Sequence, residues 1–260
     1  VSRVLNGNLQ VTPEKREAVL LVAKKLRYQP NAIARGLVRG RTQAVGVLTQ
    51  SIASPFYGEV LLGIEQALSS AGYQPIITSG NWRTDDEIAA LDVLSARRVD
   101  ALIVFAGVLS DEHLSEAARK LPLIVIGRSV AGIETQCLCI DNLRAAQEAT
   151  RLLISLGHRR IVHIAGPKHH QDATERRNGY VQAFAEAGLP VDEQLIVSGD
   201  YTEQSGLLAM RSLLSRSIMF SAVFAANDQM AFGARLALYR QSIRVPDDVS
   251  LIGFDDQPAS

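Results

Sequence analysis

Hydrophobic positions along the chain gather into short apolar runs separated by longer stretches in which apolar and polar residues interleave. Runs of strand length fall at residues 44–49, 74–78, 101–105, 123–127, 161–165, 195–198, 222–226 and 249–254. Between them, apolar residues recur at three- and four-residue spacing and predict helices over 57–71, 85–96, 111–120, 143–156, 175–187, 204–215 and 228–241. Short buried strands alternating with amphipathic helices predict an α/β fold with parallel sheets covered on both faces. The stretch from residue 43 to 260 is longer than one sheet generally uses, and the pattern splits near Asp141-Asn142. The expectation is two similar open lobes, 43–142 and 143–260, facing each other across a cleft at the carboxyl ends of their strands.

The first 42 residues follow another pattern. Val1–Asn6 reads as the end of a helix closed by Gly7-Asn8. Thr12 as N-cap and Pro13 at the first helical position open a second helix, whose Val19, Val22, Ala23 and Leu26 share a face. Tyr28-Gln29-Pro30-Asn31 ends it, and a short segment to Leu37 follows. Charge sharpens the contrast. The whole chain is neutral, with 27 basic and 27 acidic residues, but nine basic residues against two acidic ones lie in this head. A basic head on an acidic body points to a nucleic-acid-binding module joined to a part with another task.

Composition fits a body with a sizeable core: 47% of residues are hydrophobic and mean hydropathy is slightly positive. No signal peptide or membrane-length apolar run is present, which points to the cytoplasm and away from a membrane. Cys137 and Cys139, two apart in an apolar run, are poorly placed for a disulfide with each other and read as core. The five histidines include the adjacent pair His169-His170, but no carboxylate or cysteine completes a spaced ligand set, so no metal or cofactor is expected. Nor does the chain hold GxSxG, a Walker A loop, or GxGxxG after a strand. The adjacent pairs Asp85-Asp86, Asp247-Asp248 and Asp255-Asp256 point apart, unsuited to acid/base work across a substrate. No enzymatic activity is expected.

The run VSRVLNGN, followed by REAVLLVAKKLRYQPNAIARGL, resembles the DNA-binding headpiece of the LacI/GalR family of bacterial transcription regulators, and the likeness continues to LIGFDDQPAS. The resemblance implies a partial all-α helix-turn-helix headpiece with a hinge helix over 1–42, then a two-lobed periplasmic-binding-protein-like effector domain over 43–260. It implies too that Val1 falls inside the recognition helix and that the family pattern runs past Ser260, so the chain reads as a piece truncated at both ends. Within the headpiece, Ser2 and Asn6 would meet phosphates and Arg3 would reach base edges. Asn31, Ala34 and Leu37 match the hinge helix that enters the minor groove, with Leu37 as the apolar wedge. A second origin for Leu37 is the core of a short helix.

For the body, strand ends supply the candidates. Phe56 and Tyr57 sit at a loop-to-helix junction after the first strand and offer flat faces to a sugar ring or a base. Trp82, the only tryptophan, follows the second strand as another stacking surface. Arg128 follows the fourth, where sugar-binding relatives often carry Asp-Arg; Gly127 stands in place of that Asp, so one hydroxyl acceptor is missing. By resemblance, Arg176 forks onto ligand oxygens, and His170 and Asp172 vary specificity; Tyr201, after Gly199-Asp200, offers another wall. Asn227 would point at the ligand while Asp228 caps the next helix, and Asp255 of GlyPheAspAsp would accept from ligand hydroxyls. His158 resembles a structural turn. The implied function is a DNA-binding regulator, usually a repressor, with operator DNA and a sugar or sugar derivative as partners. It would act as a homodimer, or a tetramer, in which the effector reorients the lobes and so controls the hinge helices. The alternatives are a response to a nucleoside or purine, and a periplasmic-type solute-binding protein for sugar uptake, for which the basic head has no use.

Overall fold

The computed structural model describes residues 4, 11–26, 28 and 40–259. Ser2, Arg3, Asn6, Asn31, Ala34 and Leu37 therefore lie outside the described residues. The chain divides into two compact units, one taking the chain up to Ser51 together with Leu61–Ile124, the other Ile52–Val60 together with the chain from Val125 onward.

Nine strands form two parallel sheets among the described residues. The first contains β1 (Ala44–Thr49), β2 (Gln74–Ser79), β3 (Ala101–Phe105), β4 (Leu123–Ile126) and β5 (Cys137–Leu138), in the order β2-β1-β3-β4-β5. The second contains β6 (Ile161–Ala165), β7 (Ile196–Ser198), β8 (Ala222–Ala225) and β9 (Ser250–Ile252), in the order β7-β6-β8-β9. β1 pairs with β2 on one side and β3 on the other; β6 does the same with β7 and β8. In each sheet the chain leaves its first strand one way and later returns on the other side, which opens a crevice at the carboxyl ends of β1/β3 and of β6/β8.

The helices are α1 (Pro13–Lys25), α2 (Pro55–Ser70), α3 (Thr84–Ala96), α4 (Asp111–Lys120), α5 (Asn142–Ser155), α6 (Gln171–Glu186), α7 (Glu203–Ser215) and α8 (Asp228–Arg240). Period-two alternation divides the second sheet between two cores. Val162, Ile164, Val223 and Ala225 join Met210, Leu213 and Leu238 of α7 and α8, while Ile161, Ala222 and Phe224 join Leu153, Tyr180 and Phe184 of α5 and α6. β6 and β8 are buried along their whole length, the cause of their apolar character, broken in β6 only by the buried His163.

Several expectations change. α2 starts at Pro55, so Phe56 and Tyr57 lie inside the first turn and not at a junction ahead of it; proline's fixed φ suits that first position. α6 starts at Gln171, four residues earlier than the apolar spacing predicts, because its polar first turn carries no periodic signal. β4 ends at Ile126, since Gly127 has φ +116°. The two cysteines are not both core: Cys137 is half-buried on the two-residue β5, and Cys139 is exposed. On α1, Arg16, Val19 and Ala23 are half-buried, whereas Val22 and Leu26 are exposed. His158 binds Ser221 Oγ through Nδ1 at 2.8 Å and Ser250 Oγ through Nε2 at 3.0 Å, tying the start of β6 to those of β8 and β9.

Candidate functional site

The carboxyl ends of β6, β8 and β9 bring six of the expected residues together: His170, Asp172, Arg176, Tyr201, Asn227 and Asp255. Arg176, in the second turn of α6, is buried. Its Nε donates to Asn142 Oδ1 at 2.9 Å and its Nη1 to the Ala226 carbonyl at the end of β8. The guanidinium carbon lies over the Phe254 ring, 3.7 Å from its centroid, and 6.0 Å from that of Tyr201. Asp255 Oδ1 is 3.9 Å from Nη1, too long for a hydrogen bond, and both side chains are only 7% exposed. Burial pushes the Asp255 carboxyl up to about 7; Arg176 opposes this, and the Asp228 and Asp172 carboxylates add to it. Asp255 and Asp256 both hold positive φ, 107° and 57°, in a region costly for residues with a side chain.

Tyr201 closes another side. Its ring lies on the backbone of Gly166, where any side chain would overlap it. Among the described residues its buried hydroxyl has no partner at hydrogen-bond geometry, Asp172 being the carboxylate nearby, and burial followed by that carboxylate raises its pKa. His170, the N-cap of α6, packs against both His169 and Tyr201, and burial lowers its pKa. Asp172 Oδ1 accepts from the Ala173 N–H at 2.8 Å.

The cap of α8 is Asn227 and not, as expected, Asp228. Asn227 is the N-cap of α8, accepting from Met230 N at 3.0 Å, and its Nδ2 donates to the Tyr201 carbonyl at 3.0 Å. Asp228 is buried and accepts from Gln257 N at 2.7 Å, so it fastens the segment after Asp255. Both residue types cap helices, and their adjacency in sequence does not say which one will. Two participants went unread: Asn142, which aligns Arg176 from the start of α5, and Phe254, which supports its face. The GlyPheAspAsp motif contained Phe254 in plain view; nothing local singled out Asn142.

The remaining candidates stand at other strand ends. Phe56 and Tyr57 pack edge to face, 5.2 Å between centroids at 74°, both half-buried. Arg128 Nη1 reaches the Ser129 carbonyl at 3.4 Å. Trp82 belongs to the first unit, where its N–H donates to Gln50 Oε1. Among the described residues no group of three or more metal-ligating side chains occurs, and no helix is long and apolar enough to cross a membrane.

A buried arginine over an aromatic ring, 3.9 Å from a carboxylate it does not hydrogen-bond, has the chemistry of a receptor for a polar ligand. Comparison with known proteins agrees. Residues 42–257 match the family model described as periplasmic binding proteins and sugar binding domain of LacI family, and residues 1–31 match bacterial regulatory proteins, lacI family. The HTH-type transcriptional regulator GalS of Salmonella typhimurium is 37% identical, over 99% of this chain and 76% of its own length. CelR of Thermobifida fusca is 39% identical, over 98% and 77%. Among solved structures, a CelR–cellobiose complex superposes with a TM-score of 0.71 at 37% identity, over 98% and 78% of the two chains. The Lac repressor dimer bound to operator and the anti-inducer ONPF reaches 0.86 at 26%, over 100% and 78%. With an α/β body matched over nearly its whole length and a regulatory headpiece ahead of it, this chain belongs to the LacI family of bacterial transcriptional regulators.

Proposed function

We propose that the chain is a repressor whose operator binding is controlled by a sugar or sugar derivative held at the carboxyl ends of β6, β8 and β9. The observation that carries the reading is the Arg176–Asp255 spacing of 3.9 Å in a buried setting. A carbohydrate hydroxyl both donates and accepts, so it can give its hydrogen to Asp255 while taking one from Arg176, and a vicinal diol engages both. Nε and Nη1 are aligned by Asn142 and Ala226, which leaves Nη2 donors directed by a fixed plane. Tyr201, His170, Asp172 and Asn227 line the same place, with Phe56, Tyr57 and Arg128 of the same unit as further contacts; Trp82 is the effector-binding candidate of the first unit. The complex of the relative CelR with cellobiose supports a sugar as effector.

The headpiece, residues 1–42, contacts operator DNA through Ser2, Arg3, Asn6, Asn31, Ala34 and Leu37, and residues 43–260 form the effector domain, with lobes 43–142 and 143–260. The protein works in the cytoplasm as a homodimer, a reading supported by the operator-bound dimer of the Lac repressor. Thermal shifts against sugars, sugar acids, sugar phosphates, nucleosides and purines test the effector class. A ligand at 100 times its Kd stabilises by about 2.7 kcal/mol, which a melting curve detects. Stabilisation by nucleosides or purines and by no sugar overturns the carbohydrate assignment. A sugar that binds equally well to Arg176→Lys and Asp255→Asn overturns the site.

A further inference from the structure

Two buried polar side chains of the first unit play no part in the site above: Gln50, 1% exposed, and Glu87, fully buried. Gln50 directly follows β1; its Nε2 donates to the Phe105 carbonyl at the end of β3 (2.9 Å), and its Oε1 accepts from the Trp82 N–H after β2 (3.1 Å). Glu87, in the first turn of α3, accepts from Val108 N through Oε1 at 2.9 Å and from Leu109 N through Oε2 at 3.1 Å. Two side chains thus hold four backbone groups and join the carboxyl ends of three neighbouring strands, β2, β1 and β3. We infer that Gln50 and Glu87 form a polar latch that fixes the Trp82 turn and the loop after β3, and so act as positioning residues for the ligand-facing end of the first sheet. The ligand-facing clause rests on the effector reading proposed above.

The backbone supports the latch independently. Asn81 and Trp82 are consecutive residues with positive φ, 51° and 56°. That conformation is costly for side-chain-bearing residues and persists where surrounding bonds over-determine it. Here Gly80 N donates to Thr49 O at 2.8 Å and Asn81 N to Gln50 O at 3.1 Å, in addition to the Gln50–Trp82 bond. Space is equally committed: a methyl group at Gly80 would overlap Glu87, and one at Gly107 would overlap both Glu87 and Gln50. A leucine pair would fill this volume with less desolvation, but it could not hold the N–H groups of a turn. The polar pair therefore sets geometry.

Trp82, the only tryptophan, reports on the latch in the intact protein. In Glu87→Gln and Gln50→Leu we expect the acrylamide quenching constant of Trp82 to rise about twofold, with far-UV circular dichroism retained, because an unlatched turn opens locally. Folded variants whose Trp82 is quenched as in the parent overturn the proposal. Should either variant not fold, hydrogen exchange on the parent decides: protection of the Trp82, Val108 and Leu109 amides supports the latch, and exchange at the rate of exposed loop amides defeats it. Titration with cellobiose and D-galactose separates the two readings. Where the parent binds either sugar, the variants should bind it about tenfold more weakly. A parent that binds neither counts against the effector reading, and the latch then stands or falls on quenching and exchange.

Discussion

The two sheets share the order of their first four strands, and at their carboxyl ends the pairs Gln50–Glu87 and Arg176–Asp255 use buried polar groups in opposite ways. At the first, Glu87 spends both carboxylate oxygens on backbone N–H groups, and Gln50 spends its amide on one donor and one acceptor. At the second, Asp255 stands 3.9 Å from an arginine without bonding it, and the Tyr201 hydroxyl has no partner at hydrogen-bond geometry among the described residues. The Gln50–Glu87 pair is saturated and holds loops, although the buried Thr49 hydroxyl at the end of β1 has no partner among the described residues. The second end keeps hydrogen-bonding capacity in a place that water reaches poorly, which is costly in the free protein and useful when a polar ligand arrives. One end thus holds shape, and the other is the end proposed above to bind.

The contrast is tested most strongly by pH. Asp255, raised to about 7 from an ordinary 3.8, holds its proton more tightly when folded. Its contribution to stability is present below pH 4 and lost as pH rises through about 7. The difference in unfolding free energy between parent and Asp255→Asn should therefore change by about 4 kcal/mol across that window, read from denaturant titrations at several pH values. A flat difference would mean that the second end is as satisfied as the first. His163 acts with the other sign. Fully buried between the Tyr180 and Phe224 rings, with Nδ1 on the Phe224 carbonyl, it is lowered to about 4 by burial. The unfolded chain takes up a proton near pH 6.5 that the folded chain refuses, so stability falls by about 3 kcal/mol as pH drops from 6.5 towards 4. His163→Phe should remove that fall. Between pH 4 and 6.5 the two groups oppose each other, and the parent profile should be flatter than that of either variant.

Next in size, Arg176→Ala should weaken effector binding about a hundredfold, close to 2.7 kcal/mol, by calorimetric titration. It should also lower the melting temperature, because Asn142 and the Ala226 carbonyl lose their shared donor. Undiminished affinity would remove the arginine from the binding role. The smallest effect is expected from Tyr201→Phe. Deleting this buried hydroxyl, which has no partner at hydrogen-bond geometry among the described residues, should leave the stability of the free protein within about 1 kcal/mol while reducing effector affinity. A larger loss of stability would show that the hydroxyl is already engaged, like Gln50 and Glu87.

The strand and helix sequence was legible because β6 and β8 are buried on both faces and the helices on one, patterns that leave periodic marks. The family motifs also marked Arg176 and Asp255. Polar groups were harder to read. Asp85, Asp86 and Glu87 form one acidic run in the first turn of α3, yet only Glu87 is fully buried. Asn227 and Asp228 could each have capped α8. The polar first turn of α6 carried no periodicity, so the helix appeared to begin four residues late.

What the sequence by itself determined is the order of elements, the parallel α/β class, the basic head, and the family motifs, since each is written in residues close together along the chain. Only the tertiary structure decided which polar side chains are consumed by the fold and which remain for a ligand. Gln50 meets Phe105 across 55 positions, and Arg176 meets Ala226 across 50. A hydrogen bond depends on distance and angle to one partner, and folding sets those after the pattern has placed the strands.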